Sequence, residues 1–338
     1  MDDELIKNAE ALEKMADVDT LIIDKTGTIT EGKPSFDQLE VFSGDYSEEE
    51  LLQYIVSINA NSEHPLAQAM VKYGKEKGVE ILKTKYFNAV TGMGVEGKIK
   101  DSEIHLGNIK LMEKTNVTIS DSMKAQVKKA QQKGKTVSYL SIDGKCHGFV
   151  SIGDKIKETS GRAIKAIQDK GISVIMLTGD NSTTAQAVAN ALHLDDFKAE
   201  TLPEDKMKEV ERLQGEGKVV AMAGDGINDA PALAKSDLGI AMGTGTDVAI
   251  ESAMITLVKG DLHGIVKARN LSEAVMKNIK QNLFFALVYN TIGVPVAAGV
   301  LYPFFGILLS PMIAALAMSF SSVSVIANAL RLRTKSID

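Results

Sequence analysis

Cysteine is almost missing from this chain. Cys146 stands alone among 338 residues, which excludes an internal disulfide and a cysteine zinc cluster and leaves that thiol as a small, half-buried core residue. An excess of positive charge is also missing. The formal charge is -6, so the basic footprint of a nucleic-acid-binding protein is lacking and no nucleic-acid partner is expected. The opening Met1-Asp2-Asp3-Glu4 is acidic where a secretory signal would be basic. Neither an internal repeat nor a low-complexity stretch is found. Charge itself disappears between Lys280 and Arg331.

What is present begins with a carboxylate at the end of an apolar run. Thr20-Leu21-Ile22-Ile23 reads as a buried strand, and Asp24-Lys25-Thr26-Gly27-Thr28-Ile29-Thr30 follows it directly. An aspartate at the carboxyl end of a parallel strand, followed by small residues whose backbone can close around an anion, suits attack on a phosphoryl group. One acidic residue there is usually an ordinary loop residue. Here Thr26, Gly27, Thr28 and Thr30 all agree with a nucleophilic Asp24. Two more apolar runs end in the same way: Ile172 to Leu177 closes on Thr178-Gly179-Asp180, and Val219 to Ala223 closes on Gly224-Asp225-Gly226-Ile227-Asn228-Asp229. Three strand ends would deliver Asp24, Asp180 and Asp225 to one edge of a doubly wound sheet, where ligands bind in such folds.

These motifs, in this order, resemble the P-type cation-transporting ATPases. The resemblance implies an α/β fold: a haloacid-dehalogenase-like doubly wound parallel sheet with an inserted α+β nucleotide-binding domain and a C-terminal transmembrane helix hairpin. It implies ATP and Mg2+ as cofactors, with Asp24, Asp225 and the Thr26 carbonyl as magnesium ligands. Hard oxygen donors with retained waters are what this ion prefers. Asn228 and Asp229 would orient that shell. Lys206, in Pro203-Glu204-Asp205-Lys206, would neutralise the transferring phosphate. Thr178 would supply a hydroxyl, and Lys25, Gly179 and Asp180 complete the catalytic set. Phosphatases of the same fold carry a proton-trading aspartate where this chain has Thr26. A threonine cannot play that part near neutral pH, so the resemblance points to an aspartyl phosphate that survives.

Leu5, Ala9, Leu12 and Ala16 fall at helical spacing, so Asp3 to Met15 reads as an amphipathic helix, and the resemblance implies that residues 1–16 continue a membrane segment. The phosphorylation domain is expected in two pieces, 17–32 and 153–267. The insertion at 33–152 shows a capping box at Ser47-Glu48-Glu49-Glu50 opening a helix to about Asn61, and a second helix from Pro65 to Lys77. Short antiparallel strands are expected at Tyr86 to Val90, Gly94 to Lys100 and Val137 to Ile142. This insertion resembles the nucleotide-binding domain of the heavy-metal branch. Glu63 and His64, in Ser62-Glu63-His64-Pro65, would contact the adenine, and Gly92 and Gly94 would let the backbone come close to the nucleotide, with Val95, Gly107 and Asn108 completing the implied nucleotide-binding set.

After a cytosolic linker helix at 268–282, the sequence suggests two membrane helices within 283–330, each of about the 20 apolar residues a bilayer requires. The tail 331–338 would be cytosolic. Lys277, Lys280, Arg331, Arg333 and Lys335 flank the hairpin, so both ends are expected in the cytoplasm, giving a multi-pass protein of a bacterial plasma membrane in contact with the lipid bilayer. Tyr289-Asn290 in the first helix, with Met318, Ser321 and Ser322 in the second, resembles the copper(I) branch, and a thioether suits a soft monovalent ion such as copper(I) or silver. Serines at such spacing also pack helices together without any ion.

Two family elements are absent from this sequence: the Thr-Gly-Glu loop of the actuator domain and the Cys-Pro-Cys membrane motif. The expected partner is therefore a front portion carrying the actuator and the first six membrane helices. A membrane-anchored phosphatase of the same fold, and a non-catalytic regulatory fragment of a pump, are the alternative readings.

Overall fold

The computed structural model describes residues 4–42, 44–300, 302–306 and 311–334. Its strands are β1 (Glu4–Ile6), β2 (Thr20–Asp24), β3 (Ser35–Val41), β4 (Thr84–Val90), β5 (Gly94–Ile99), β6 (Ser102–Gly107), β7 (Thr136–Ile142), β8 (Lys145–Gly153), β9 (Ser173–Leu177), β10 (Asp196–Lys198), β11 (Val220–Gly224), β12 (Leu238–Met242) and β13 (Ile255–Leu257). Its helices are α1 (Ala9–Asp17), α2 (Glu48–Asn59), α3 (Pro65–Glu76), α4 (Ile109–Lys114), α5 (Asp121–Gln132), α6 (Ser160–Gln168), α7 (Ser182–Leu192), α8 (Pro203–Gly215), α9 (Ala230–Lys235), α10 (Asp247–Ser252), α11 (His263–Ala297), α12 (Tyr302–Phe305) and α13 (Pro311–Leu330). The chain divides into two compact units. Residues 18–263 make up almost all of the first, and residues 6–17 with 264–338 form the second.

The first unit holds two sheets. Its seven-stranded sheet runs β1-β13-β12-β11-β2-β9-β10, and β2 pairs in parallel with both β11 and β9. Every residue of β2 and β11 is buried, because helices cover both faces of a parallel sheet and its strands then read as unbroken apolar runs. Ile22, Leu177, Met222, Val210 and Leu233 join in one core cluster. The three adjacent strands β11, β2 and β9 share a direction, so their carboxyl ends open at one edge.

The six-stranded antiparallel sheet, in the order β3-β8-β7-β6-β5-β4, is inserted between β2 and β9. Alternation along its strands feeds two cores. Leu140, Val150 and Ile152 pack with Leu51, Ile55 and Met70 from α2 and α3, whereas Val137, Tyr139 and Phe149 pack with Leu111 and Met123 from α4 and α5. Helix α2 starts at the capping box: Glu50 N donates to Ser47 Oγ at 3.2 Å and Ser47 N to Glu50 Oε2 at 2.8 Å, satisfying two otherwise orphaned donors. Cys146 belongs to the second cluster and is buried, deeper than its half-buried expectation.

In the second unit, Arg269 Nη1 donates to the Met15 carbonyl and Ser272 Oγ to that of Leu12, fixing α1 on α11. Three asparagines tie α11 to α13. Asn278 Nδ2 donates to Asn328 O at 2.7 Å, Asn282 Nδ2 to Asn278 Oδ1 at 3.0 Å, and Asn328 Nδ2 to Asn282 Oδ1 at 2.9 Å. The start of the chain also differs from expectation, since β1 precedes a helix that begins only at Ala9.

This unit overturns the expected transmembrane hairpin over 283–330. Among the described residues no helix is long and apolar enough to cross a membrane. Helix α11 is one continuous element whose first half carries Lys267, Arg269, Glu273, Lys277 and Lys280, so the separate linker at 268–282 merges into it. Its apolar remainder, 283–297, extends about 22 Å at ~1.5 Å per residue, short of the roughly 30 Å of hydrocarbon in a bilayer. Where α13 side chains are described, Ser319, Ser322, Ser324 and the buried Asn328 interrupt the apolar surface. Parts of the expected hairpin, Leu301 and 307–310, lie outside the described residues. The multi-pass plasma-membrane placement and the bilayer contact rested on that hairpin and fall with it.

Candidate functional site

Strand β2 ends at Asp24, which is 7% exposed, and the chain then turns sharply through 25–29. Thr26 N donates to Asp24 Oδ2 at 2.9 Å, and Thr30 N closes the turn onto Lys25 O at 3.0 Å. Gly27 makes the turn possible: its φ is +73°, and a Cβ there would lie 1.6 Å from Asp225 Oδ2. The loop after Asp24 and the end of β11 are therefore in backbone-to-carboxylate contact, which only glycine permits.

Lys206, buried near the start of α8, bridges two acids: its Nζ donates to Asp24 Oδ1 at 2.6 Å and to Asp229 Oδ1 at 2.7 Å. Burial alone would lower its pKa, but Asp24 and Asp229 together hold it above the ordinary lysine value. Asp229 is committed further, because its Oδ2 accepts from Asp225 N at 3.3 Å and Gly226 N at 3.2 Å. Asp24, Asp225 and Asp229 each offer a carboxylate oxygen within 4.8 Å of the others. Burial raises the Asp24 pKa to about 6, with Asp229 adding to the rise while Lys206 opposes it. Burial, then Asp24 and Asp229, raise Asp225 to about 7. Carboxylates crowded this closely resist ionising together unless a cation joins them, and an all-oxygen donor set suits Mg2+. The donor set fits the ion. Asp225 would be its freest ligand, since Lys206 and backbone N–H groups already bond both oxygens of Asp24 and of Asp229.

A pH dependence follows. Carboxylates whose folded pKa is raised contribute stability that is full below the ordinary value near 4 and is lost as pH rises through about 7. A divalent cation restores it only where both acids can ionise. Mg2+ should therefore raise the melting temperature more at pH 8 than at pH 5.5, its affinity weakening roughly tenfold per pH unit just below about 7 and more steeply below about 6, where Asp24 also holds a proton. Thermal melts with Mg2+ or EDTA measure this, and equal gains at both pH values would contradict it.

Lys25 and Asp180 form a second buried pair. Lys25 Nζ bonds Asp180 Oδ2, with the side chains 7% and 9% exposed, so this lysine faces the end of β9. Burial would raise the Asp180 pKa, but Lys25 and the hydroxyls of Thr136 and Thr178 hold it below the usual carboxylate range. Thr178 Oγ1 donates to Asp180 Oδ2 at 3.1 Å. Thr26 and Asn228 are exposed at the rim. Gly179 has no contact on its Cβ position closer than 3.7 Å, to Thr201 O.

Sequence reading missed Lys157. Its Nζ donates to Gly27 O at 2.7 Å, Thr28 O at 3.0 Å and Gly260 O at 2.8 Å, pinning the back of the turn that follows Asp24. It also missed the loop after β12, where Thr246 N donates to Asp225 O at 2.8 Å and a Cβ on Gly245 would fall 2.5 Å from the same oxygen. Repeated glycines in Gly243-Thr244-Gly245 were the available signal.

Among the nucleotide candidates, His64 caps α3, its Nδ1 accepting from Leu66 N at 3.2 Å, and Glu63 is exposed beside it. The glycine turns meet across paired strands, with Gly94 opposite Gly107. Asn108 Nδ2 donates to Gly92 O at 2.8 Å, and a Cβ on Gly94 would lie 2.3 Å from Leu106 O. Val95 is buried beneath them. A Cβ on Gly92 would stand 3.4 Å from Leu202, the residue preceding α8, so this turn borders the helix that carries Lys206. Of the transported-ion candidates, the side chains of Tyr289, Asn290, Met318 and Ser321 lie outside the described residues, and Ser322 is exposed on α13.

Comparison with known proteins places this geometry. The haloacid dehalogenase-like hydrolase family matches residues 18–237. A silver exporting P-type ATPase of Salmonella typhimurium is 52% identical over 330 residues, covering 98% of this chain and 40% of that protein. A copper-transporting P-type ATPase of Rhizobium leguminosarum bv. viciae is 53% identical, with 97% and 39% covered. This chain thus spans about two fifths of the length of these relatives. Among solved structures, a zinc-transporting PIB-type ATPase in its E2.Pi state superimposes with a TM-score of 0.69 at 34% identity, over 98% of this chain and 52% of that one. The catalytic CPx-ATPase domain CopB-B gives 0.60 at 32% identity, over 79% of this chain and 95% of that domain. With the family matched over most of its length and a catalytic CPx-ATPase domain covered almost whole, the chain belongs to the haloacid dehalogenase-like hydrolases, in the branch that supplies the catalytic domains of P-type ATPases.

Proposed function

We propose that this chain is the catalytic part of an ATP-driven pump for a soft monovalent metal ion, copper(I) or silver, working through an aspartyl phosphate on Asp24. The observation that carries the proposal is the placement of Asp24 at a buried strand end, bonded to Lys206 and within 4.8 Å of Asp225 and Asp229. A carboxylate oxygen of Asp24 forms a bond to the γ-phosphorus of ATP. The bond from that phosphorus to the bridging oxygen breaks, and ADP leaves with the electron pair. Lys206 holds positive charge beside the attacking oxygen, where transition-state charge collects, and such pre-aimed charge is the main lever on this reaction. Mg2+, held by Asp24, Asp225 and the Thr26 carbonyl, would neutralise charge on the transferring group. Glu63 and His64 take the adenine, and the turns at Gly92, Gly94, Val95, Gly107 and Asn108 take the rest of the nucleotide.

Persistence of the acyl phosphate follows from Thr26, whose hydroxyl has no proton to trade near neutral pH. The named specificities of the copper and silver relatives support the cargo, and a Met318 thioether is the soft donor in this reading. Transport itself draws on a front portion of the pump. Incubation with γ-labelled ATP and Mg2+ should give an acid-stable, hydroxylamine-sensitive label on the chain. A hydroxylamine-resistant label, or steady hydrolysis of small phosphate esters without one, would reject the reading.

A further inference from the structure

Among the described residues, the inserted domain meets the parallel-sheet domain through several side chains, one of them a hydroxyl. The turn from α5 into β7 rests on α7: Thr184 Oγ1 donates to Lys135 O at 2.9 Å, and a Cβ on Gly134 would sit 3.7 Å from Val188. Lys110 pairs with Glu200 nearer the rim. From that same turn, Thr136 Oγ1 donates to Asp180 Oδ1 at 2.8 Å. The other oxygen of Asp180 receives Thr178 Oγ1 at 3.1 Å and the ammonium of Lys25. A side chain of the inserted domain is thereby bonded to the carboxylate that holds the neighbour of the nucleophile.

We propose that Thr136 is a positioning residue that latches the inserted domain closed over the site through Asp180. The two domains are joined by two passages of chain, at 30–36 and 152–157, which pair where Glu31 N donates to Lys155 O at 2.9 Å. Two strands of backbone allow the insertion to swing. What sets the closed position must then be contacts away from that hinge, where the exposed Lys110–Glu200 pair and the hydrogen bond from Thr136 to Asp180 both end on ionised groups, the second being the one sheltered from solvent. Bonds of that kind exceed neutral ones in strength, and Asp180 is held ionised by Lys25. Closing brings the Gly92 turn beside Leu202, at the head of the helix bearing Lys206. A phosphoryl donor carried on the inserted domain reaches Asp24 in this closed arrangement, whereas a small donor diffusing from solvent does not need it. The kinetic consequence rests on the proposed phosphoryl transfer; the structural one does not.

The test uses the full chain with Cys146→Ala and spin labels at Lys83→Cys and Lys218→Cys, exposed positions on the two domains. Thr136→Val should broaden the interdomain distance distribution toward longer values, and Thr136→Ser should keep the parent distribution. Phosphorylation from ATP should slow about tenfold in Thr136→Val, the scale of one hydrogen bond to a charged group, while phosphorylation from acetyl phosphate stays unchanged and the serine variant restores the ATP rate. An unchanged distance distribution in Thr136→Val overturns the latch. Equal slowing with both donors also overturns it, since Thr136 would then act only on the local set of Asp180. No label from either donor in the parent protein would reject the phosphoryl-transfer reading, with the distance measurement still deciding the latch.

Discussion

Replacing Asp24 by Asn should abolish phosphorylation from ATP, on the order of 10⁴-fold or more, the scale of losing a nucleophile, while the fold persists. The amide matches the carboxylate in shape and can still accept from Thr26 N, which now lies 2.9 Å from Oδ2. Its oxygen is too weak a nucleophile for the γ-phosphorus. The stability effect works in the opposite direction to an ordinary buried-charge deletion. Burial raises the Asp24 pKa to about 6, so above that pH the folded state carries an ion it disfavours, and a neutral amide removes that cost. Lys206 keeps a partner in Asp229, 2.7 Å away, and is not left as an unpaired buried charge. At pH 8 without Mg2+ the variant should melt no lower than the parent. Gel autoradiography after acid quench reads the first effect and calorimetry the second. A hydroxylamine-sensitive label surviving on the variant would move the phosphoryl group to another residue.

The strands that carry the acids were legible because burial on both faces of a parallel sheet leaves nothing polar in them. Thr20–Asp24 and Val220–Gly224 are apolar runs ended by small or acidic residues, and their adjacency in the sheet brings Asp24 and Asp225 together. In the inserted sheet, strand β3 escaped the same eye. Ser35–Val41 lies at an edge, carries Asp37 and Glu40 and buries only Leu39 well, so no periodicity marks it. The tail failed for the opposite reason. An uncharged stretch was read by its composition, whereas α11 extends back to His263 with charged residues and buries Ala274 and Asn278.

Side chains whose partners are backbone carbonyls far along the chain could not be read at all. Lys157 looks like one more solvated lysine in Asp154-Lys155-Ile156-Lys157-Glu158, yet it gathers carbonyls from residues 27, 28 and 260. Thr136 opens an ordinary strand, and its link to Asp180 spans 44 positions. Lys25 follows Asp24 in sequence, but side-chain direction reverses from one residue to the next at a strand end, and its ammonium reaches Asp180, a partner that adjacency in sequence does not reveal.

Gly27→Ala should cost about 10²-fold or more in phosphorylation rate while leaving a folded chain, the loss expected when reacting groups are displaced by ~1 Å. Two effects combine. An L residue at φ +73° carries a left-handed backbone strain of roughly 1–2 kcal/mol. The larger effect is steric, because the added carbon would meet Asp225 Oδ2 at 1.6 Å and Cγ at 2.3 Å, distances no relaxation of the methyl itself can absorb. Either the turn lifts away from β11 or Asp225 swings out, and both separate Asp225 from Asp24. The turn is held from behind by Lys157 through the Gly27 and Thr28 carbonyls, and by Thr30 onto Lys25, so the carboxylate is the part that yields. Mg2+ dependence then distinguishes this from simple unfolding. The variant should need far more Mg2+ for half-maximal labelling, and its melting temperature should gain little from the ion at pH 8. Gly171→Ala, at φ +78° with nothing near its Cβ position, carries the same backbone strain without the collision. It should lose comparable backbone stability but keep both the rate and the Mg2+ response; matching behaviour in the two variants would show that strain, not the collision with Asp225, sets the requirement for glycine at position 27.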